Sequence, residues 1–249
     1  MNKLYQKSEI WFAVTWIIIY VVGTSVADGM SETIGITKLV TMVLHVGLSA
    51  AALVWLRCNG LYKKYGLCRT DVKPVKFLYY IPLTVIVSCN LWFGATMNLS
   101  VHETIFYIIS MICVGFLEEL IFRGFLFKAM SKDNIKAAII VSSVTFGIGH
   151  IVNLINGSAA DIVSNLCQVC YAMAFGFLCV IIFHRGRSLL PCIITHSAVN
   201  SLSVFANEAN RTRRAELFTA MMLTIIAVVY TVILLRTLPG DGVVREAEN

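Results

Sequence analysis

Long apolar runs constrain this chain more than any other feature of its sequence. A run of about 20 mostly apolar residues can cross a bilayer as a helix, because a helix satisfies its own backbone hydrogen bonds in lipid. The runs predict eight spans, at residues 10–26, 39–56, 77–97, 105–127, 137–155, 162–183, 189–205 and 217–235. The predicted fold class is therefore all-α, a polytopic transmembrane helix bundle of about eight spans.

The composition agrees with a membrane protein. Hydrophobic residues make up 58% of the chain and charged residues 14%, and the mean hydropathy is +0.79. A soluble domain is typically about 45–50% apolar and about 25% charged. Connections between the runs are short, and no linker rich in glycine, serine or proline divides the chain. We expect a single integral membrane domain over residues 1–249.

The basic residues predict the orientation of the bundle. If eight spans place both termini on one side, sixteen of the twenty lysines and arginines lie on that side. Cytoplasmic loops carry such an excess, so we expect both termini in the cytoplasm. The expected location of the protein is a membrane such as the bacterial plasma membrane. The loop with Arg211, Arg213 and Arg214 is a local exception. Because the positive charge sits in short loops, we expect lipid and a peptide or protein as partners, and no nucleic acid.

Ionisable and amide side chains inside the spans are the functional candidates, because such groups are costly in lipid. Counted from the nearest basic loop at about 1.5 Å per residue, Glu118, His150, His196 and Asn200 fall within a depth band of roughly 8 Å, on three different helices. This agreement favours one shared polar site. The full set of candidates, with the neighbouring aromatic Phe146, is Glu118, Glu119 and Arg123 in the fourth span, Phe146, His150 and Asn153 in the fifth, and His196 and Asn200 in the seventh.

Spacing within each helix suggests separate roles for these residues. Glu119 and Arg123 are four apart, which places them on one helix face as an ion pair. Glu118 points about 100° away from Glu119 and is free for chemistry. His196 and Asn200 are also four apart, so both can face the same cavity.

Two kinds of hydrolysis fit this set. A carboxylate beside a histidine, Glu118 with His150, can deprotonate a water molecule, while His196 and Asn200 donate hydrogen bonds to an oxyanion. Alternatively, Glu118, His150 and His196 can hold a zinc ion with an open position for water. The cofactor is thus either none or one divalent metal. Glu119, Arg123, Phe146 and Asn153 are supporting residues, and a peptide bond is the expected target.

The same residues carry a resemblance to a known family. Glu118-Glu119-x-x-x-Arg123, Phe146-x-x-x-His150 and His196-x-x-x-Asn200 resemble the three motifs of the CPBP family of CAAX proteases and bacteriocin-processing enzymes. This family, also called Abi, includes the Ras-converting enzyme. The resemblance covers residues 105–205, the expected catalytic core. It implies an eight-helix intramembrane endopeptidase facing the cytoplasm, with prenylated C-terminal tails, leader peptides or membrane-bound regulators as substrates.

Two other functions remain open at this stage. The chain could be a non-catalytic membrane scaffold or bacteriocin-immunity protein that uses the same fold to bind a partner. It could also be a small transporter with a proton relay, although such proteins often show paired halves or broken helices, which the sequence does not indicate. Whether Glu118 is needed for function separates catalysis from scaffolding.

Overall fold

The computed structural model describes residues 1–155 and 161–238, and this part of the chain is helical, without a strand. A lone antiparallel bridge joins Ala95 and Ala206. The α-helices are α1 (Asn2–Lys7), α2 (Glu9–Ile34), α3 (Leu39–Cys58), α4 (Ile81–Val87), α5 (Val101–Glu119), α6 (Lys128–Met130), α7 (Ile135–Gly149), α8 (Val152–Ile155), α9 (Ile162–Gly186), α10 (Leu190–Leu202) and α11 (Arg213–Thr237). The predicted all-α class is confirmed.

Seven helical segments are long and apolar enough to cross a membrane, within the described ranges. They are Glu9–Ile34, Leu39–Cys58, Pro74–Leu91, Val101–Met130, Ile135–Leu154, Ile162–Gly186 and Arg213–Thr237. The predicted span at 189–205 corresponds to a shorter apolar helix, Leu190–Phe205. The chain is an integral membrane protein with a polytopic helical bundle.

The first span is longer than the apolar run predicted. Ser8 caps α2 by accepting a hydrogen bond from the Trp11 amide, and the helix ends at Gly35, whose φ of 79° is left-handed. The prediction stopped at residue 26 because Asp28 interrupts the apolar run. In the structure Asp28 is paired with Lys38 at 2.7 Å and accepts a hydrogen bond from the Thr41 hydroxyl. Pairing with the start of α3 therefore lets the helix continue past the acid.

The third span is a broken helix. A 3₁₀ segment over Pro74–Tyr80 precedes α4, and another over Ser88–Leu91 follows it. Leu78, Tyr79 and Tyr80 have positive φ, a conformation that costs energy for residues other than glycine. The apolar pattern predicted one continuous span, because hydropathy does not register where backbone geometry changes.

Close backbone contacts bring the motif-bearing helices together. α5 packs on α10 and α3, and α7 packs on α9. A Cβ on Gly115 would lie only 2.5 Å from the Ser197 amide nitrogen, so α5 and α10 touch without a side chain between them. A Cβ on Gly147 would likewise overlap Met173 on α9. These contacts hold the helices that carry the acids and both histidines of the site at short range.

Candidate active site

The two glutamates lie where the fourth span changes its winding. α5 ends at Glu119 and continues as a π-helix over Leu120–Phe127, a form that is rare and frequent at functional sites. Every residue of this π segment is buried. The Ser142 hydroxyl, from α7, donates to the Phe122 carbonyl at 2.8 Å. The wider turn is thus supported by a neighbouring helix.

Glu119 joins two of the sequence motifs. Its Oε1 lies 3.3 Å from Arg123 Nη1 and 2.9 Å from His196 Nδ1, and the carboxylate is fully buried. The ion pair with Arg123 is the one that the four-residue spacing predicts. The contact with His196 is new. Because the carboxylate can only accept, His196 Nδ1 carries the hydrogen, and Nε2 is the atom that faces the chemistry.

Phe146 organises the charged groups around it. The Arg123 guanidinium lies over its ring at 3.8 Å, a cation–π contact in a buried setting. The ring also meets His150 and His196 edge to face, at centroid distances of 5.2 and 5.6 Å. The guanidinium nitrogens make no hydrogen bond within the described ranges. The charge of Arg123 is therefore compensated by Glu119 and by the face of Phe146.

Glu118 has one oxygen held and the other directed at His196. Its Oε1 accepts a hydrogen bond of 2.6 Å from the Tyr20 hydroxyl. Its Oε2 lies 3.7 Å from His196 Nε2, and the side chain is half-buried. The sequence predicted a Glu118 that points away from Glu119 and is free for chemistry. The structure instead binds it to a tyrosine of the first span and leaves Oε2 for chemistry.

His150 lies at the end of a helix, where the sequence placed it inside one. α7 stops at Gly149, and His150 is its C-cap. Its Nδ1 is 3.1 Å from the Phe146 carbonyl, so Nδ1 donates to a carbonyl that the helix end leaves unpaired. Asn165, from α9, donates to the His150 carbonyl at 2.8 Å. The ring is thus oriented by its own helix, with Nε2 available as an acceptor.

The two asparagines of the predicted set differ in their surroundings. Asn200 lies on α10 one turn after His196 and is half-buried; within the described ranges no hydrogen bond of its amide is found. An amide in this condition is available to a ligand. Asn153, in α8, donates to Gln168 Oε1 at 3.1 Å and so links α8 to α9. Asn153 therefore fits the supporting role.

The predicted metal ligands do not come as close together as a shared metal ion requires. Among the described residues, the group of three His, Cys, Asp or Glu ligand atoms that all lie within 4.8 Å of one another is that of Glu119, Cys179 and Cys192, all buried. Glu118, His150 and His196 do not form such a set in this conformation, and the Arg123 guanidinium lies beside Phe146, which contacts both histidines. In this arrangement the three predicted ligands do not fit a bound zinc.

Two residues of the site were missed by sequence reasoning. Tyr20 binds Glu118, and Asn165 binds the backbone of His150. A signal for Tyr20 was present, because Tyr20, Thr24 and Asp28 recur every four residues and form a polar stripe on one face of an apolar helix. Asn165 offered only its position as an amide within an apolar run.

Comparison with known proteins bears on the same segment. Residues 100–202 match the family described as Rce1-like, type II CAAX prenyl endopeptidase Rce1-like. The match runs from the cap of α5 to the end of α10, so it contains Glu118, His150, His196 and Asn200 but leaves out Tyr20. Among the curated proteins compared, none matches the chain. This match supports the resemblance of residues 100–202 to the CPBP family of CAAX intramembrane proteases.

Proposed function

We propose that this protein is an intramembrane endopeptidase that hydrolyses a peptide bond in a membrane-associated or leader-type peptide. The observation that carries the proposal is the pairing of Glu118 Oε2 with His196 Nε2 at 3.7 Å, each held by a second hydrogen bond on its other side. Two oriented polar groups this close together can both contact one water molecule that lies beside them, next to the carbonyl carbon of a bound peptide. The family match supplies the reaction class.

Water activation is assigned to Glu118 and His150. Glu118 Oε2 and His150 Nε2 are both acceptors, since their partner atoms are already bonded to Tyr20 and to the Phe146 carbonyl. A water between them can give a hydrogen bond to each. As the oxygen attacks the carbonyl carbon, Glu118 takes its proton, and the same proton then passes to the nitrogen as the C–N bond breaks.

Oxyanion stabilisation is assigned to Asn200 and His196. The amide of Asn200 donates in every protonation state. His196 donates its Nδ1 hydrogen to Glu119, so its Nε2 can donate only when the ring carries a second proton. Asn200 is therefore the constant donor in this scheme, and His196 contributes when it is an imidazolium. Residues 105–205 would form the catalytic core within one membrane domain.

The substrate side is proposed from topology and family. The excess of basic residues in the loops favours termini in the cytoplasm. The proposed location is the plasma membrane of a bacterium, with the site open to the cytoplasm. The family description names a CAAX prenyl endopeptidase. A C-terminal Cys-a-a-X peptide that is prenylated on its cysteine is therefore the first substrate to test, followed by a bacteriocin-type leader peptide.

The test is cleavage by purified protein in liposomes. A prenylated Cys-a-a-X peptide, its unprenylated form and a leader peptide are incubated in water enriched in oxygen-18, and products are identified by mass. Hydrolysis places the heavy oxygen in the new carboxylate. We expect the Glu118→Gln variant to fold and to lose turnover. Glu32→Gln is the matched control, because Glu32 lies on the exposed surface of α2.

Two results would contradict the proposal in different ways. Wild-type turnover by Glu118→Gln would assign the base to another group. Absence of cleavage of all three peptides by the wild type, together with a cellular phenotype that Glu118→Gln retains, would favour the scaffold or immunity function.

A further inference from the structure

The hydrogen bond from Tyr20 to Glu118 crosses the boundary of the family match. Tyr20 lies on α2, outside residues 100–202, and 98 residues before its partner. The Oη–Oε1 distance of 2.6 Å is short, as expected when a hydroxyl donates to a carboxylate. Tyr20 is buried, so this contact is made away from solvent. A residue of the first span thus touches the proposed catalytic base.

Tyr20 is itself held in place by a buried histidine. The ring of His45, on α3, stacks on the Tyr20 ring with centroids 5.7 Å apart and planes inclined by 27°. The His45 nitrogens are each 2.9 Å from a hydroxyl, Nε2 from Thr24 on α2 and Nδ1 from Ser110 on α5. Three helices therefore fix the His45 ring, and the His45 ring limits the movement of the Tyr20 ring.

The contact selects which carboxylate oxygen reacts. A glutamate side chain can rotate its carboxylate, and the last torsion has a broad, soft profile. With Oε1 bonded to Tyr20, Oε2 is the oxygen that points toward His196 Nε2. Without the phenol hydroxyl, the carboxylate could turn its second oxygen away from the water. Loss of orientation by about 1 Å can lower a rate by about 100-fold.

We propose that Tyr20 is a positioning residue for Glu118, and that α2 and α3 thereby complete a site whose motifs all lie in residues 100–202. The inference rests on the proposed function, since it assigns Glu118 as the base. It predicts a low kcat for a protein whose motif-bearing helices are intact but whose first span lacks the phenol hydroxyl of Tyr20. His45 acts one step further away, by holding the Tyr20 ring.

The test is the Tyr20→Phe variant, which removes the hydroxyl and keeps the ring that stacks on His45. We expect kcat to fall about 10- to 100-fold, the range for losing a hydrogen bond to a charged group, with KM little changed. Tyr107→Phe is the matched control: Tyr107 lies on α5 and exchanges a 2.8 Å hydrogen bond with Ser203, apart from Glu118. It should keep wild-type kcat.

A second variant separates positioning from packing. 3-Fluorotyrosine at position 20 restores the hydroxyl donor, so kcat should return to near the wild-type value. A merely structural role would lower the unfolding temperature of Tyr20→Phe without lowering kcat in assays well below that temperature. That result, or a Tyr20→Phe kcat equal to that of Tyr107→Phe, overturns the inference.

The outcome is distinguishable from failure of the proposed function. If Glu118→Gln has lost turnover while Tyr20→Phe behaves like its control, Glu118 stands as the base and only the positioning role is wrong. If Glu118→Gln is active, the base assignment fails, and the role of Tyr20 fails with it.

Discussion

Gly115→Ala tests how closely the site depends on the contact between α5 and α10. An added Cβ would lie 2.5 Å from the amide nitrogen and 2.7 Å from the Cα of Ser197, and it would also overlap the Ser197 hydroxyl. Ordinary contacts of a Cβ are at 3.4–4 Å. Because two of the overlapped atoms are backbone, rotating a side chain cannot relieve the clash, and the helices must separate by roughly 1 Å.

That displacement reaches the chemistry through the residue before Ser197. His196 Nδ1 is 2.9 Å from Glu119 Oε1, so a shift of about 1 Å takes this pair beyond hydrogen-bonding distance. The misplacement should lower kcat by about 100-fold. Overpacking of a well-packed interior costs about 1–3 kcal/mol, and the better helix propensity of alanine offsets about 1 kcal/mol of it. The net decrease in the free energy of unfolding should therefore be smaller than the overpacking cost alone.

The assay combines initial rates of peptide cleavage in liposomes with thermal unfolding in detergent. Gly47→Ala is the matched control, because Gly47 lies within α3 and a Cβ there meets nothing within 4 Å. It should keep wild-type kcat and gain up to about 1 kcal/mol in stability. A Gly115→Ala variant with wild-type kcat would refute the claim that the α5–α10 contact sets the position of His196.

Three further predictions address the oxyanion, the buried ion pair and a helix cap. Asn200→Ala should lower kcat by about 10²–10³-fold and leave peptide binding nearly intact. Chelators should have no effect on the wild type. Inactivation by chelators, together with loss of bound metal in His196→Ala, would instead indicate a metal enzyme. Glu119→Gln should destabilise the fold by about 3–5 kcal/mol, because it leaves the Arg123 charge buried without its carboxylate. The double variant with Arg123→Met should regain stability but not turnover. An unchanged Tm for Glu119→Gln alone would contradict this account. Asp161 caps α9, and the hydrogen bond from the Ser164 amide, with others, holds the pKa of its carboxyl below the usual range. Asp161→Ala should thus have a lower Tm than the wild type at neutral pH. This Tm difference should shrink as the pH falls below about 4, because the carboxyl of the unfolded state takes up its proton first. A Tm difference independent of pH would contradict a stabilising role of the carboxylate charge.

Local spacing predicted those parts of the site that lie within one helix. The Glu119–Arg123 ion pair follows from a separation of four residues, and it is present at 3.3 Å. His196 and Asn200 lie one turn apart on α10, as their spacing predicts. The catalytic roles of Glu118, His150, His196 and Asn200 stay predictions.

Helix ends and breaks were harder to predict. The apolar runs located the membrane segments. The prediction from them extended the fifth span past His150, where α7 has already ended, and it took the third span as one continuous helix. In the structure His150 caps α7 through its own side chain, and the chain around Leu78 leaves the helical conformation. Hydropathy indicates which residues tolerate lipid, but it does not indicate the hydrogen bonds that end a helix.

The sequence by itself determined that this chain crosses a membrane several times and carries acids, histidines and an asparagine at similar depth. Only the tertiary structure decided which of them meet. The contacts of Glu118 with Tyr20 and of Glu119 with His196 join residues 98 and 77 positions apart. Such pairs depend on how helices rotate and pack, and in this chain glycines such as Gly115 set that packing. Periodicity describes one helix at a time, so it cannot show which faces of different helices come into contact.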